Sequence, residues 1–262
     1  MTMFATSLAQ QLPFSQQLLV LGIVLGLGSF AQGAVGFAAG LLIVPVMLAC
    51  GWSVAEAQAV LLLATLVQNI WGTYTLRHAL RPAELWLPAA LRIGWMPVGV
   101  GLQWLLTGFG PMRTRQVVGF AVTAATLAMM WIRPQPRSQV AAVWTWLACS
   151  ISGIFQGLCG MGGPALVLWV QAHDWHPDRS RGFLFAQYLL SLFPTLLLVG
   201  AVFGREVWRA LGLAVILLPI IFLATAAGMR VGRCLNPERL RWLSYGLLLL
   251  LGLSQLLGPW LY

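Results

Sequence analysis

Apolar residues fill long stretches of this chain, roughly residues 17–51, 57–76, 86–106, 116–132, 140–171, 182–203, 208–229 and 242–258, and polar residues collect in the short gaps between them. Stretches of about 20 apolar residues predict helices that cross a bilayer. The order is one long run and three ordinary ones, then the same again. Each long run holds either two short helices or a hairpin that dips to mid-membrane and returns, and both options bring the chain back to the side it entered from. The expected fold is an all-α polytopic membrane protein of about ten helical segments, or of eight runs with two re-entrant hairpins.

The long runs carry a repeated interruption. Gln32-Gly33-Ala34-Val35-Gly36 returns 124 positions later as Gln156-Gly157-Leu158-Cys159-Gly160, and Pro111-Met112-Arg113-Thr114-Arg115 returns 126 positions on as Pro237-Glu238-Arg239-Leu240-Arg241. The chain reads as one duplicated unit, residues 1–134 and 135–262, forming a single integrated transmembrane domain. If each long run returns the chain, each half crosses an odd number of times and the second repeat is inverted relative to the first. Arginine placement favours that reading. Returning runs put Arg77, Arg81, Arg133, Arg137, Arg179, Arg181, Arg230, Arg233, Arg239 and Arg241 on one side and Arg113, Arg115, Arg205 and Arg209 on the other. Single crossings would divide them almost evenly, so the positive-inside rule selects the returning pair and sends both termini to the periplasm or exterior.

Composition removes the soluble alternative. The chain is 60% apolar and 8% charged, with a mean hydropathy of +0.85, where soluble domains are about a quarter charged. Ten spans would use about 200 positions, leaving nothing for a separate extramembrane domain. A net charge of +9 would suit nucleic acid, but all fifteen basic residues are Arg and nearly all sit in the gaps, where membrane orientation explains them. No nucleic-acid partner is expected; the partners are the lipid bilayer and a small anionic solute. Residues 1–16 carry no Lys or Arg, so the first apolar run is expected to remain rather than serve as a cleaved signal. Trp52, Trp86, Trp131, Trp175, Trp208, Trp242 and Trp260 lie near run ends and read as interfacial anchors.

Several classes of chemistry find no residues. The six acids, Glu56, Glu84, Asp174, Asp178, Glu206 and Glu238, all lie in gaps or at run ends, which disfavours a proton relay or a cation path. Cys50, Cys149, Cys159 and Cys234 form no Cys-x-x-Cys pair. The segment from His173 to Asp178 lacks the i, i+4 His pair of a helical zinc site, so neither metal nor cofactor is expected. Nothing pairs a nucleophile with a base inside a run, so the chain does not read as an enzyme.

An anion site does have candidates. Gly33, Gly36, Gly157, Gly160 and Gly162 loosen the backbone inside segments that exclude water, and the helix starts that follow, near Phe37 and Met161, present unpaired N–H groups and partial positive charge. Inverted repeats bring two such starts together near the midplane. The competing reading of these glycines is close helix packing. Gln32 and Gln156 add neutral donors, with helix capping as the competing role. Gln68 and Asn69, beside Thr65, and Gln187, Tyr188 and Ser191 place polar groups on one face of the next helix in each half; they either line a pathway or join helices by hydrogen bonds. Arg92, the one formal charge well inside a run, either attracts an anion at an inner vestibule or snorkels to the interface.

The breaks and the segments after them resemble the TauE/SafE family of sulfite exporter-like and toluene-sulfonate uptake permeases. Gly157-Leu158-Cys159-Gly160-Met161-Gly162-Gly163-Pro164 carries the likeness most clearly, and Gly33-Ala34-Val35-Gly36-Phe37-Ala38-Ala39-Gly40 with Pro45 carries it more loosely. The resemblance spans both halves. It implies transport of sulfite, organosulfonates such as sulfoacetate, or related small anions, commonly outward across a bacterial inner membrane, with uptake or a channel-like path as the alternative and a non-transporting partner subunit behind both.

Overall fold

The computed structural model describes residues 13–35, 39–132, 134–234, 246, 249–250 and 252–256. Ten α-helices follow in order: α1 (Phe14–Val35), α2 (Ala39–Ala49), α3 (Val54–Thr75), α4 (Pro82–Thr107), α5 (Pro111–Trp131), α6 (Ala142–Cys159), α7 (Gly163–Gln171), α8 (Pro177–Phe203), α9 (Arg205–Ile216) and α10 (Leu218–Cys234), with a short 3-10 turn at Arg77–Ala79. Residues 252–256 are also helical. Among the described residues the sole extended pairing is an isolated bridge between Arg137 and His173. The all-α expectation holds, and the chain is a multi-pass membrane protein. Five helices, α1, α3, α4, α6 and α8, are long and apolar enough to cross a bilayer, and α9 with α10 makes a sixth if the pair is one span. That pair bends by 63° beside Pro219, which has no N–H to give the preceding turn, where the sequence pattern predicts one uninterrupted run.

The long runs divide unequally. α1 has 22 residues and α2 11; α6 has 18 and α7 nine. At 1.5 Å per residue α2 and α7 are about 14–16 Å long, roughly half a hydrocarbon core. Each long run is therefore a full-length arm and a half-length arm. The breaks also fall later than the motifs suggest: Gln32–Val35 still belongs to α1 and Gln156–Cys159 to α6.

Polar contacts sort the helix ends into two groups. At the first end, both carboxylate oxygens of Glu84, at the start of α4, meet Arg179 at the start of α8, with Nη2–Oε1 at 2.6 Å. The Arg137 backbone bonds to Ala172 and Asp174, which places the approach to α6 beside the end of α7. At the second end, Arg209 of α9 donates to Gln17 of α1 at 3.3 Å, and Glu206, on the same turn, stands close enough to Glu56 of α3 to feel its charge. Glu56 in turn caps α3 with Ser53 in a reciprocal box. The 26 residues of α4 separate these ends by about 39 Å. α1 and α2 thus enter from and return to the second end, and α6 and α7 do so at the first.

Glycine-mediated contacts join the halves. α4 lies along α6 and α10 along α1, the two most extensive helix pairings, with α3 against α8 between them. A Cβ on Gly157 would fall on the Met96 carbonyl oxygen and 2.9 Å from the Val100 nitrogen; one on Gly33 would lie 2.5 Å from the Thr225 carbonyl oxygen and 3.1 Å from the Met229 nitrogen. At these two positions the missing side chain lets backbones touch, the packing role of small residues in membranes.

A carboxamide network braces the end of α6. Gln58 Nε2 donates to the Gln156 carbonyl at 2.7 Å. In the orientation its neighbours dictate, the Gln103 carboxamide donates to Gln58 Oε1 at 3.3 Å and to the Gly157 carbonyl at 3.1 Å, and accepts from the Ala55 N–H at 3.1 Å. Gln58 and Gln103 are both fully buried, so α3, α4 and α6 are locked together by bonds that water does not replace.

Side chains near the ends follow burial rather than one rule. Trp86 and Trp131 are exposed, as interfacial anchors should be, whereas Trp52 is buried in the core, a correction to the anchor reading. Trp242 and Trp260 lie outside the described residues. His173 contacts the Trp169 carbonyl at 2.9 Å within a ring cluster of Trp169, Trp175 and Phe183. Burial there holds its imidazole below the usual range. His176 instead accepts from the Asp178 N–H as a cap of α8.

Two outcomes follow for stability. Gly157→Val forces backbone apart along α4 and α6 and should cost about 1–3 kcal/mol or more, read as a lowered thermal unfolding midpoint in detergent. Gln58→Leu leaves the Gln103 carboxamide and the Gln156 carbonyl short of partners and should cost about 1–3 kcal/mol in the same assay.

Candidate functional site

The ends of α1 and α6 and the starts of α2 and α7 border one cavity of about 70 Å³, room for several waters at about 10–15 Å³ each or for one small oxyanion. Its polar wall is made by Gln32 and Gln156 from the ends of α1 and α6, Thr65 and Asn69 of α3, and Tyr188 of α8; Leu61, Leu62, Pro164 and Val167 supply apolar wall. Gly40, Gly160, Met161 and Gly163 bring backbone to the surface. The lining on α3 and α7 extends from the middle of the bundle toward the first end, and the buried Gln58 and Gln103 lie on the side of the second.

Both glutamines do the same thing. Gln32 Oε1 accepts from the Ala39 N–H at 2.6 Å, and Gln156 Oε1 accepts from the Gly162 N–H at 3.3 Å. Each side chain thus reaches over its own break to satisfy one of the N–H groups that a helix start leaves unpaired. A backbone N–H can only donate, so the carboxamide oxygen must face it, and the NH₂ is left as the free end. Neither Nε2 has a partner among the described residues, and both residues line the cavity. Capping and donation, set against each other in the sequence reading, are two ends of one group.

The break after α6 is fixed in detail. Gly160 adopts φ +73°, where a side chain would be strained, and its N–H bonds to the Gln156 carbonyl while that of Met161 reaches Phe155. Ser152, one turn before Gln156, donates to the Gly162 carbonyl at 2.5 Å. The break after α1 contains Gly36 and Phe37, which lie outside the described residues, but Gln68 Nε2 lies 3.5 Å from the Gln32 carbonyl, so a side chain of α3 reaches each Gln carbonyl.

The remaining candidates fall into three places. Asn69 lines the cavity and its Oδ1 is buried with no partner among the described residues. Gly33 and Gly157 lie in helices at the contacts with α10 and α4, Gln68 and Gly162 stand behind the lining, and Gln187 and Ser191 are buried away from it: Gln187 Nε2 donates to the Leu85 carbonyl at 2.8 Å and Ser191 to the Gln187 carbonyl at 2.9 Å. The anticipated common face of α8 contributes Tyr188 alone, because Gln187 points into the contact with α4. Arg92 does not snorkel. It is fully buried, donating from Nε to Ser152 Oγ at 3.0 Å and from Nη1 to the Gln187 carbonyl at 2.8 Å, with its guanidinium carbon 5.5 Å from the Tyr188 ring centre.

Gln58, Gln103 and Ser152 escaped the sequence reading. Gln58 and Gln103 lie near run ends, where a polar residue is unremarkable in sequence, and Ser152 sits among small residues of α6 with no repeat partner to mark it. Cys159 is fully buried and its thiol approaches the Phe155 carbonyl at 3.4 Å, the setting of a small filler.

The family model described as sulfite exporter TauE/SafE matches residues 19–254. A protein of Cupriavidus necator described as a probable sulfite/organosulfonate exporter TauE is 25% identical over 246 residues, covering 92% of this chain and 94% of the relative. No solved structure matches the chain. The family model covers both broken hairpins and the cavity between them, and the chain belongs to the TauE/SafE family of membrane transporters.

Proposed function

We propose that this transporter carries sulfite and organosulfonate anions outward across the bacterial inner membrane, through a midplane site between two inverted repeats, residues 1–134 and 135–262. The observation that carries the reading is the convergence of two carboxamide NH₂ groups, from Gln32 and Gln156, on one cavity beside two helix starts. A sulfonate or sulfite group offers several acceptor oxygens and needs donors. The cavity supplies them without a formal charge on its wall, so an anion is held by hydrogen bonds and helix-start dipoles worth about 0.3–2 kcal/mol each and is not trapped. Asn69, Thr65 and Tyr188 complete the polar side, with Gly160 and Met161 at the break after α6.

The polarity of the ends supports the direction. The Arg-rich first end is taken as cytoplasmic by the positive-inside rule, with both termini on the opposite face. The cavity then lies on the cytoplasmic side of the middle, ready to load, and Gln58 with Gln103 closes the other side. An inside-negative potential drives an anion outward by about 2.3 kcal/mol per charge per 100 mV, so export requires no coupled cation. That agrees with the described acids, which lie at helix starts and in a connection.

Gln156→Glu keeps an oxygen for the Gly162 N–H but removes the NH₂ donors and introduces repulsion. Sulfite efflux from proteoliposomes should fall at least tenfold, since hydrogen bonds to an anion are worth about 1.5–3 kcal/mol each, while cooperative thermal unfolding persists; undiminished efflux in a folded variant removes Gln156 from the site. Direction is tested by imposing potassium diffusion potentials on wild-type vesicles. Efflux should accelerate with an inside-negative potential and need no proton or sodium gradient, and strict dependence on such a gradient would favour the uptake reading instead.

A further inference from the structure

We propose that the cavity selects singly charged anions over doubly charged and zwitterionic ones, and that Arg92 is the positioning residue that sets this count; the inference rests on the anion-transport reading above. None of the residues lining the cavity carries a formal charge. Directly behind the lining stands Arg92, fully buried. A guanidinium stays protonated in proteins, so this is a fixed positive charge in the apolar interior.

Among the described residues nothing neutralises it. Arg92 makes no ion pair among the described residues, and its Nη2 is buried without a partner there. The ionisable groups acting on it are the phenol of Tyr188 and the thiol of Cys149, both neutral at ordinary pH. The nearest acid along α4, Glu84, is engaged with Arg179. A buried charge lacking a counter-charge is costly, and intramembrane ionisable residues that persist on such terms mark substrate pathways.

The geometry ties that charge to the cavity through both walls. Through Ser152 it is linked to Gly162, next to Gly163 of the lining; through the Gln187 carbonyl it is linked to the residue before Tyr188. Tyr188 fills the space between, with its hydroxyl 3.2 Å from where a Cβ of Gly163 would lie. One negative charge in the cavity therefore completes a neutral pair across the Tyr188 ring without direct contact, leaving the anion free to depart. A second negative charge meets no second cation, and an ammonium meets no carboxylate, since the described acids lie at helix starts or in connections. The apolar patch of Leu61, Leu62 and Val167 suits a short uncharged tail. By this count hydrogensulfite is preferred over the sulfite dianion, and sulfoacetate becomes a poor substrate.

The test compares three probes of similar size on purified wild-type protein, by ligand-induced thermal stabilisation and by flux in proteoliposomes: ethanesulfonate with one negative charge, sulfoacetate with two, and the zwitterion taurine. Ethanesulfonate should bind at least tenfold more tightly than either of the others and carry one charge per molecule in electrogenic flux. Arg92→Gln should weaken ethanesulfonate binding at least tenfold and flatten the preference, and Arg92→Lys should restore part of it, a pattern that a merely structural role would not produce. Because the wild-type ratio needs no variant, a misfolded Arg92→Gln leaves the proposal exposed to refutation. Sulfoacetate or taurine binding as tightly as ethanesulfonate overturns the charge selectivity and leaves the anion reading standing; a preference unchanged in folded Arg92→Gln overturns the role of Arg92. Binding of none of the three overturns both this inference and the anion reading beneath it.

Discussion

A helix that stops and restarts inside an apolar slab strands backbone N–H and C=O groups where no bulk water can answer them, and each costs several kcal/mol if left unpaired. The centre of this protein is organised around that demand. Gln32 and Gln156 turn their oxygens to the N–H groups of the helix restart, and Gln58 and Gln68 turn their amides to the backbone carbonyls of those two glutamines. The functional polarity of the cavity follows from the structural need: once the oxygen is committed to a backbone donor, the same side chain can present only donors to the hollow.

Holding such breaks in place requires rigid neighbours, and packing across the halves supplies them. Gly33 and Gly157 bring each broken hairpin into backbone contact with a long helix of the opposite half, so α1 rests on α10 and α6 on α4. The half-length arms are α2 and α7. They are too short to cross, each starts from a Gln cap, and they stand between the cavity and opposite ends of the bundle.

Much of this was legible in the sequence for a physical reason: a bilayer allows few solutions, so apolar run length and Arg placement are strong constraints. The returning long runs and the matched positions of Gln32 and Gln156 could be read from position alone, whereas Asn69 and Tyr188 stood in sequence among polar residues that could equally line a pathway or join helices. The division of the long runs into full and half arms could not be read, because helix and break share the same apolar alphabet, and the bend beside Pro219 was hidden in the same way. Gly33 and Gly157 illustrate the limit at residue level. A glycine that loosens backbone and one that admits a neighbouring helix look identical in sequence, and only the position of Thr225 or Met96 against them tells the two apart. Gln187 and Ser191 fell on the wrong side of a helix whose faces are both apolar, so periodicity carried no information about which way they point.

The packing scheme and the paired glutamine caps recur between the halves, but some of the polar groups around them do not. Gln58 and Gln103 together brace the break of α6, whereas at the end of α1 Gln68 alone, at 3.5 Å, is described reaching the Gln32 carbonyl; the buried guanidinium of Arg92 stands behind α7. A solute crossing such a structure meets a braced, uncharged barrier on one side of the cavity and a fixed positive field on the other. That inequality has a thermodynamic consequence. The field of Arg92 lowers the energy of an anion wherever it is felt, so it aids occupancy from either side and cannot by itself confer direction. On the proposed anion path, direction then rests with the membrane potential, and the residues about the cavity bear on which anion is admitted. Neutral donors on the wall, with the charge held one side chain away, suit that division of labour, because they favour occupancy without fixing the anion in a direct ion pair.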